Sequence, residues 1–266
     1  MDEASVLLQR DGAVAYIVFN RPSALNAVNL EMAQRLAAIA GQLERDESVR
    51  CVVLKGAGAH FMAGGDIREF QSLFALPSGE QQARFMAPVK AVEDAVTGII
   101  RMPKPVLASI RGSAAGFGFS LVCACDLAIA ADNATFMLSY CQLGTSPDGG
   151  GTFTLPRLLG TRRAMGLAML GDRLNAFQAL DVGLVNRVVD IEALDAETGM
   201  IANRLASQPT LALARTKRLL SQSINNELQV QLDAEAESFV TLASSSDFIE
   251  GVNAFVEKRT PRFKGC

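Results

Sequence analysis

Asp148 is the residue whose surroundings best suit it to chemistry. It stands in Ser146-Pro147-Asp148-Gly149-Gly150-Gly151-Thr152, one carboxylate in a loop otherwise nearly free of side chains. A carboxylate set in an apolar pocket loses hydration and its pKa rises, so it can both take a proton and give it back near neutral pH. Pro-Asp-Gly is also ordinary turn chemistry, so spacing alone leaves both readings open. Two stretches of small residues offer a complement. Gly112-Ser113-Ala114-Ala115-Gly116-Phe117-Gly118 follows an apolar run at residues 105–110 and precedes a helical pattern at 119–125. Such a turn lets a ligand approach the backbone, and the helix start presents unpaired N–H groups at the positive end of the dipole. Phe61-Met62-Ala63-Gly64-Gly65-Asp66-Ile67 repeats the layout of strand, small-residue turn and helix start. Two such turns on neighbouring layers can aim two N–H groups at one oxygen, an oxyanion hole in which each donor is worth about 3–4 kcal/mol.

Other reactive residue types have plainer readings. His60 is the single histidine, so a Ser–His–Asp triad would have to use it; it reads as a solvated loop residue. Ser120 has no histidine placed to activate it and reads as a small pocket-lining residue. Tyr140 either orients a bound acyl group or packs at the pocket wall. Cys141, its neighbour, points to the opposite face if the segment is a strand, and reads as core. Glu93 and Asp94 read as carboxylates on an exposed helix face. The five cysteines read as reduced thiols with no disulfide framework and no zinc site; Cys123 and Cys125, two apart on a helix, cannot face the same way.

These groups need a scaffold, and the chain supplies one. Its 266 residues are 49 % hydrophobic and 20 % charged, which suits a sizeable core. The net charge of −3 argues against a basic nucleic-acid face. No apolar run reaches bilayer length, and the acidic first dozen residues lack a signal-peptide core, so a cytoplasmic home and no membrane partner are expected. Residues 14–19, 51–54, 127–131 and 134–138 read as strands. Leu30, Ala33, Leu36, Ala37, Ala40 and Leu43 recur at helical spacing behind a capping Asn29. Residues 87–100, 155–170 and 176–180 are helical, and residues 182–189 turn into a strand. Residues 70–83, with Pro77, Ser78 and Gly79, read as a mobile loop. From residue 191 the pattern is helical, broken at Pro209. The alternation indicates an α/β core over residues 1–200 followed by a helical region over 201–266.

The sequence resembles the crotonase (enoyl-CoA hydratase/isomerase) superfamily along nearly its whole length. The resemblance is carried by Asn20-Arg21-Pro22 with Leu25-Asn26-Ala27, by the two small-residue turns, and by Cys125-Asp126-Leu127-Ala128. Leu143-Gly144 with Pro147 and the closing Ala254-Phe255-Val256-Glu257-Lys258-Arg259 complete it. The resemblance implies an α/β spiral of ββα units, a helical trimerisation region with trimers often paired into hexamers, and a CoA thioester as substrate with no further cofactor. It places the oxyanion-hole N–H groups at Ala63 and Phe117, whose ring would narrow the pocket. It places CoA contacts at Ser23, Ala24, Leu25, Gly64, Asp66 and Ile67, with Gly116 and Ser120 lining the acyl end. Phe255 and Lys258 would complete the CoA site, often across a subunit boundary. The two glutamates of the family's hydratases are matched here by Ser120 and Tyr140, which speaks against simple hydration and leaves Asp148 as acid/base. The segment from Leu143 to Leu170 looks most similar to the ring-epoxide isomerase branch of phenylacetate catabolism. An isomerase working through a thioester enolate is the expected activity. The rivals are a hydratase or lyase using Asp148 with Tyr140, a hydrolase or dehalogenase in which Asp148 attacks covalently (with Glu93 as its base), and a CoA-ester binding protein without catalysis.

Overall fold

The computed structural model describes residues 4–266; the first three residues of the acidic N-terminus lie outside it. Two antiparallel strands open the chain, β1 (Val6–Asp11) and β2 (Val14–Phe19). After α1 (Leu30–Arg45) comes β3 (Cys51–Gly56), then α2 (Ile67–Leu73) and α3 (Ser78–Arg101). Next follow β4 (Val106–Ile110), β5 (Ser113–Ala115), α4 (Phe117–Ala124), β6 (Leu127–Ala131) and β7 (Thr135–Met137). Then come α5 (Gly151–Leu159), α6 (Thr161–Leu170), β8 (Leu174–Asn175), α7 (Ala176–Asp181) and β9 (Arg187–Val189). Four helices finish the chain: α8 (Leu194–Ala206), α9 (Thr210–Ser223), α10 (Leu228–Leu242) and α11 (Ser246–Val256).

The main sheet has the order β1-β2-β3-β4-β6-β9, parallel from β2 onward. Its strands are apolar on both faces because both faces are covered. Val52 and Leu54 of β3 join the large core with α1 and α3, whereas Cys51 and Val53 pack with Leu194, Ala202 and Ala206 of α8 on the other side. This is the period-two alternation of a strand read by two different layers. Residue 200 lies inside α8.

A second, small sheet of order β5-β7-β8 lies beside the first. It positions the site. Ala114 pairs with Phe136 of β7 and, by an isolated parallel bridge, with Met62. Met62 and Ser113 to Ala115 exchange backbone hydrogen bonds of 3.0 and 2.9 Å. The two small-residue turns that follow Met62 and Ala115 are thereby laid side by side.

The expected elements appear, with four differences. Residues 70–83 are not a loop: α2 and α3 fill most of the stretch, and only residues 74–77 separate them. Pro77 precedes the first turn of α3, where its missing N–H costs nothing. The helix expected over 155–170 breaks at Gly160, whose φ of 79° leaves the helical region. Cys141 is exposed, because residues 140–143 form a short 3-10 helix and not a strand. The strands β1, β5 and β8 had no expectation; each is short or half exposed and lacks a strong apolar period. Asn29 caps α1 as expected, accepting from the Met32 N–H at 3.0 Å, and all five cysteines are free.

The C-terminal helical region is tied to the core by partly buried cations. Lys217 of α9 pairs with Asp126 at 2.8 Å and donates to the Ile99 carbonyl at 3.1 Å. Arg50 donates to the Thr210 hydroxyl, the Gln208 carbonyl and the Phe263 carbonyl. No helix among the described residues is long and apolar enough to cross a membrane.

Candidate active site

The loop that carries Asp148 lies on α4 and α3 at van der Waals range, and its glycines make that possible. A Cβ on Gly149 would stand 2.6 Å from Cδ2 of Phe117 and 3.3 Å from Cγ1 of Val92. One on Gly151 would meet the Ser120 hydroxyl at 2.6 Å. Gly149 and Gly150 also have φ of 63° and 76°, a conformation that side-chain-bearing residues adopt at a cost. The glycine run is therefore a packing requirement that seats Asp148 over the start of α4.

Two hydroxyls hold Asp148 there. Tyr140 donates its phenolic O–H to Oδ1 of Asp148. Ser120, 1 % exposed, donates to the Asp148 backbone carbonyl at 3.1 Å. Burial pushes the Asp148 carboxyl above its usual range; the Tyr140 hydrogen bond pulls part of the way back, and the charge of Glu93 adds to the rise. The Tyr140 hydroxyl is pushed well above its ordinary value, by burial first and by the Asp148 charge second, so it stays protonated and stays a donor. Glu93 is exposed on α3 and pairs with Lys90 at 2.6 Å.

Opposite Asp148 the two turns meet backbone to backbone. A Cβ on Gly64 would come within 3.1 Å of the Ala115 carbonyl, and one on Gly116 within 3.4 Å of the Gly64 Cα. Both glycines have positive φ, 92° and 51°. Phe117 opens α4, so its N–H has no acceptor inside the helix and finds none elsewhere among the described residues. The expectation for Ala63 does not hold in this form. Its N–H donates to the Leu25 carbonyl at 3.1 Å and is spent on the scaffold. The N–H groups of Gly64 and Gly65, the next two on that turn, have no acceptor among the described residues. Val28 pairs with this segment through the Gly64 carbonyl and the Asp66 N–H, which turns the Gly65 N–H to the other side. Sequence spacing could not distinguish Ala63 from Gly65, because the partner Leu25 is distant in the chain. The Phe117 ring also differs from expectation: it is 3 % exposed, packed beneath Gly149, and does not narrow an open pocket.

The remaining expected residues fall into two groups. Ser23 and Ala24 form a 3-10 turn next to Leu25, which is left-handed and exposed. Asp66 caps α2, accepting from the Arg68 and Glu69 N–H groups, and pairs with Arg21 at 2.8 Å; Ile67 beside it is half exposed. These surround the mouth of the turn at Gly64 and Gly65. Phe255 and Lys258 stand at the end of α11 and share no hydrogen bond with the residues around Asp148; Phe255 is 86 % exposed.

Sequence reasoning missed two residues that build the turn. Asn26, fully buried with φ 56°, accepts from the Arg21 N–H at 2.9 Å and donates to the carbonyls of Ala57, His60 and Phe61. His60 is not simply solvated: its Nδ1 accepts the Ser113 N–H at 3.1 Å and so links the two turns. The Asn26 signal was its position just after a Pro-Ser turn, a place where asparagine tolerates the left-handed region.

An α/β core that packs two small-residue turns with unpaired N–H groups against each other, and the loop of a half-buried carboxylate on the second of them, resembles the layout of enzymes that act through a stabilised oxyanion. The family model described as enoyl-CoA hydratase/isomerase matches residues 9–266, and the chain belongs to that family. It is 39 % identical to the 1,2-epoxyphenylacetyl-CoA isomerase of Escherichia coli over 98 % of both chains. It is 34 % identical to the crotonyl-CoA hydratase of Syntrophomonas wolfei over 97 % of both. The crystal structure of an enoyl-CoA hydratase from Polaromonas sp. JS666 superposes with a TM-score of 0.91 at 34 % identity, covering 97 % of this chain and 99 % of that one.

Proposed function

We propose that this protein is an acyl-CoA isomerase that moves a double bond, or opens a ring epoxide, through a thioester enolate. One observation carries the reading. Asp148 is the one half-buried carboxylate in the group, and both hydroxyls beside it, of Tyr140 and Ser120, are spent on holding it. Adding water to a 2-enoyl thioester asks for a second acid/base group to activate the water, and none faces Asp148 unpaired.

The reaction follows from that arrangement. The thioester oxygen sits between the N–H groups of Gly65 and Phe117. Asp148 removes the proton at C2 of a 3-enoyl thioester, and the C–H electron pair moves into the thioester to give a dienolate. Each N–H donor lowers that barrier by about 3–4 kcal/mol because it is already oriented where charge develops. The same carboxyl then returns its proton to C4, and the double bond ends between C2 and C3. The raised Asp148 pKa suits both halves, since a strongly acidic carboxyl takes protons poorly. CoA is held near Ser23–Leu25, Asp66 and Ile67, with Phe255 and Lys258 of a neighbouring copy completing its site in a trimer or paired trimers. The similarity to the Escherichia coli isomerase supports the isomerase reading over hydration.

Product analysis tests it. The protein given a 3-enoyl-CoA is expected to release the 2-enoyl-CoA, and to hydrate 2-enoyl-CoA at a rate lower by orders of magnitude. Efficient hydration with no isomerisation overturns the proposal in favour of a hydratase.

A further inference from the structure

The Tyr140–Asp148 pair says more than that a carboxylate is present. A carboxylate has two oxygens, and a proton shuttle needs one of them on the substrate side. Here Oδ1 is occupied by the Tyr140 hydroxyl, and the backbone behind it is pinned by Ser120. We infer that Tyr140 is a positioning residue that commits Oδ1 of Asp148 and leaves Oδ2 alone to exchange the proton with the substrate. The inference rests on the reading of Asp148 as the proton shuttle.

The geometry explains the tyrosine at this position. Tyr140 begins the short 3-10 helix at residues 140–143, directly after Ser139, which is left-handed with φ 59°. That reversal turns the chain so that the ring packs against the core and its hydroxyl meets the loop eight residues on. A phenol in this place donates to a carboxylate and has no competing acidity. The charged and titratable groups facing Asp148 are few. Tyr140 comes from the 3-10 helix, and Glu93, itself bound to Lys90, from α3. Ser120 is the polar group from α4, and α5 presents only the backbone of Gly151. Tyr140 is thus the side-chain donor that, with a backbone hydrogen bond, lowers the carboxyl's pKa against the opposing push of burial and Glu93.

Two variants separate this role from a structural one. Tyr140→Phe keeps the ring and removes the bond to Oδ1; Ser120→Ala removes the bond to the backbone only. For Tyr140→Phe, kcat is expected to fall by roughly 10- to 100-fold with KM little changed, and the acid limb of the kcat profile to move up by about one pH unit. Ser120→Ala is expected to lower kcat without moving that limb. An unmoved limb in Tyr140→Phe, or a rise in KM as the main effect, overturns the inference and puts the hydroxyl on the substrate instead.

A second measurement does not depend on turnover. The chain has two tyrosines, Tyr16 and Tyr140, so fluorotyrosine labelling gives two 19F signals. The Tyr140 signal is expected to titrate with Asp148 above the ordinary carboxylate range, and to lose that titration in Asp148→Asn. A Tyr140 signal that ignores Asp148 refutes the pairing even if isomerase activity is present. Conversely, a titrating signal in a protein that isomerises nothing leaves the pairing intact and removes the proposed function.

Discussion

Gly149 lies flat against the ring of Phe117, so close that a Cβ at Gly149 would stand 2.6 Å from Cδ2. Phe117, the proposed oxyanion donor, thus also carries on its side chain the loop of Asp148, the proposed proton shuttle, and in that proposal one aromatic ring sets the spacing between them. Gly149→Ala must push the loop off that ring and adopt φ near 63° with a side chain. A shift of about 1 Å at a reacting group can cost 10²-fold in rate. The variant is expected to lose about that much kcat in a steady-state isomerase assay, with a smaller change in KM.

Phe117→Ala removes the spacer while keeping the N–H. The ring is buried, and deleting a buried Phe side chain costs about 3–5 kcal/mol. Denaturant unfolding is expected to show a loss in that range. Cooled assays on the folded fraction should show kcat reduced, because the N–H remains but Asp148 is no longer held at its distance.

The meeting of Gly64 with Gly116 sets the geometry of the proposed oxyanion turn. Gly64→Ala brings a methyl to about 3.1 Å from the Ala115 carbonyl at a φ of 92°. The two turns must then separate. Loss of one oxyanion donor is worth roughly 10²- to 10³-fold in kcat, and this variant is expected to approach that loss in kcat while binding the CoA ester nearly as well.

The pH profile follows from Asp148. In the proposed mechanism activity needs its carboxylate, and burial raises its pKa above the ordinary 3.8. Activity is therefore complete well above the raised value and falls as pH drops through it, at a higher pH than a free aspartate would give. Tyr140 adds no alkaline limb below its ordinary value of 10.0, since its hydroxyl is raised above it. A pH–rate series for kcat/KM checks both sides.

Asn26→Ala tests the scaffold rather than the chemistry. The side chain satisfies three carbonyls and one N–H in a fully buried position. Leaving such groups unpaired costs about 1–3 kcal/mol each when no water replaces the bond. A loss of several kcal/mol in chemical denaturation is expected, together with lower activity, because Ala57 to Phe61 lead into the oxyanion turn.

The strands and long helices were legible because burial on both sheet faces leaves apolar runs, as at residues 14–19 and 127–131, and because Asn29 announces its helix. Asp148 stood out as a lone carboxylate among glycines, but Pro-Asp-Gly is also turn chemistry, and it was the family resemblance that favoured the acid/base reading. What was hidden depends on partners far apart in the chain. Ala63 and Gly65 differ in that the Leu25 carbonyl takes the Ala63 N–H and nothing takes that of Gly65, and no local pattern records that. The helical character of residues 70–83 was masked by Pro77 and Gly79, which sit at a helix start where they cost little. The Tyr140 bond to Asp148 arises from a left-handed Ser139 that redirects a segment read as a strand.

The central claim is that Asp148 moves a proton through an enolate, and proton exchange in heavy water tests it most directly. The protein is incubated with a 3-enoyl-CoA in D2O, as wild type and as Asp148→Asn, and deuterium at C2 and C4 is read by NMR. The account predicts formation of the 2-enoyl-CoA in the wild type, with deuterium at C4 to the extent that the proton on Asp148 exchanges with solvent before its return, and neither in the variant. Isomerisation or exchange that survives in Asp148→Asn, or a wild type that neither isomerises nor exchanges with this or a ring-bearing thioester, would contradict it.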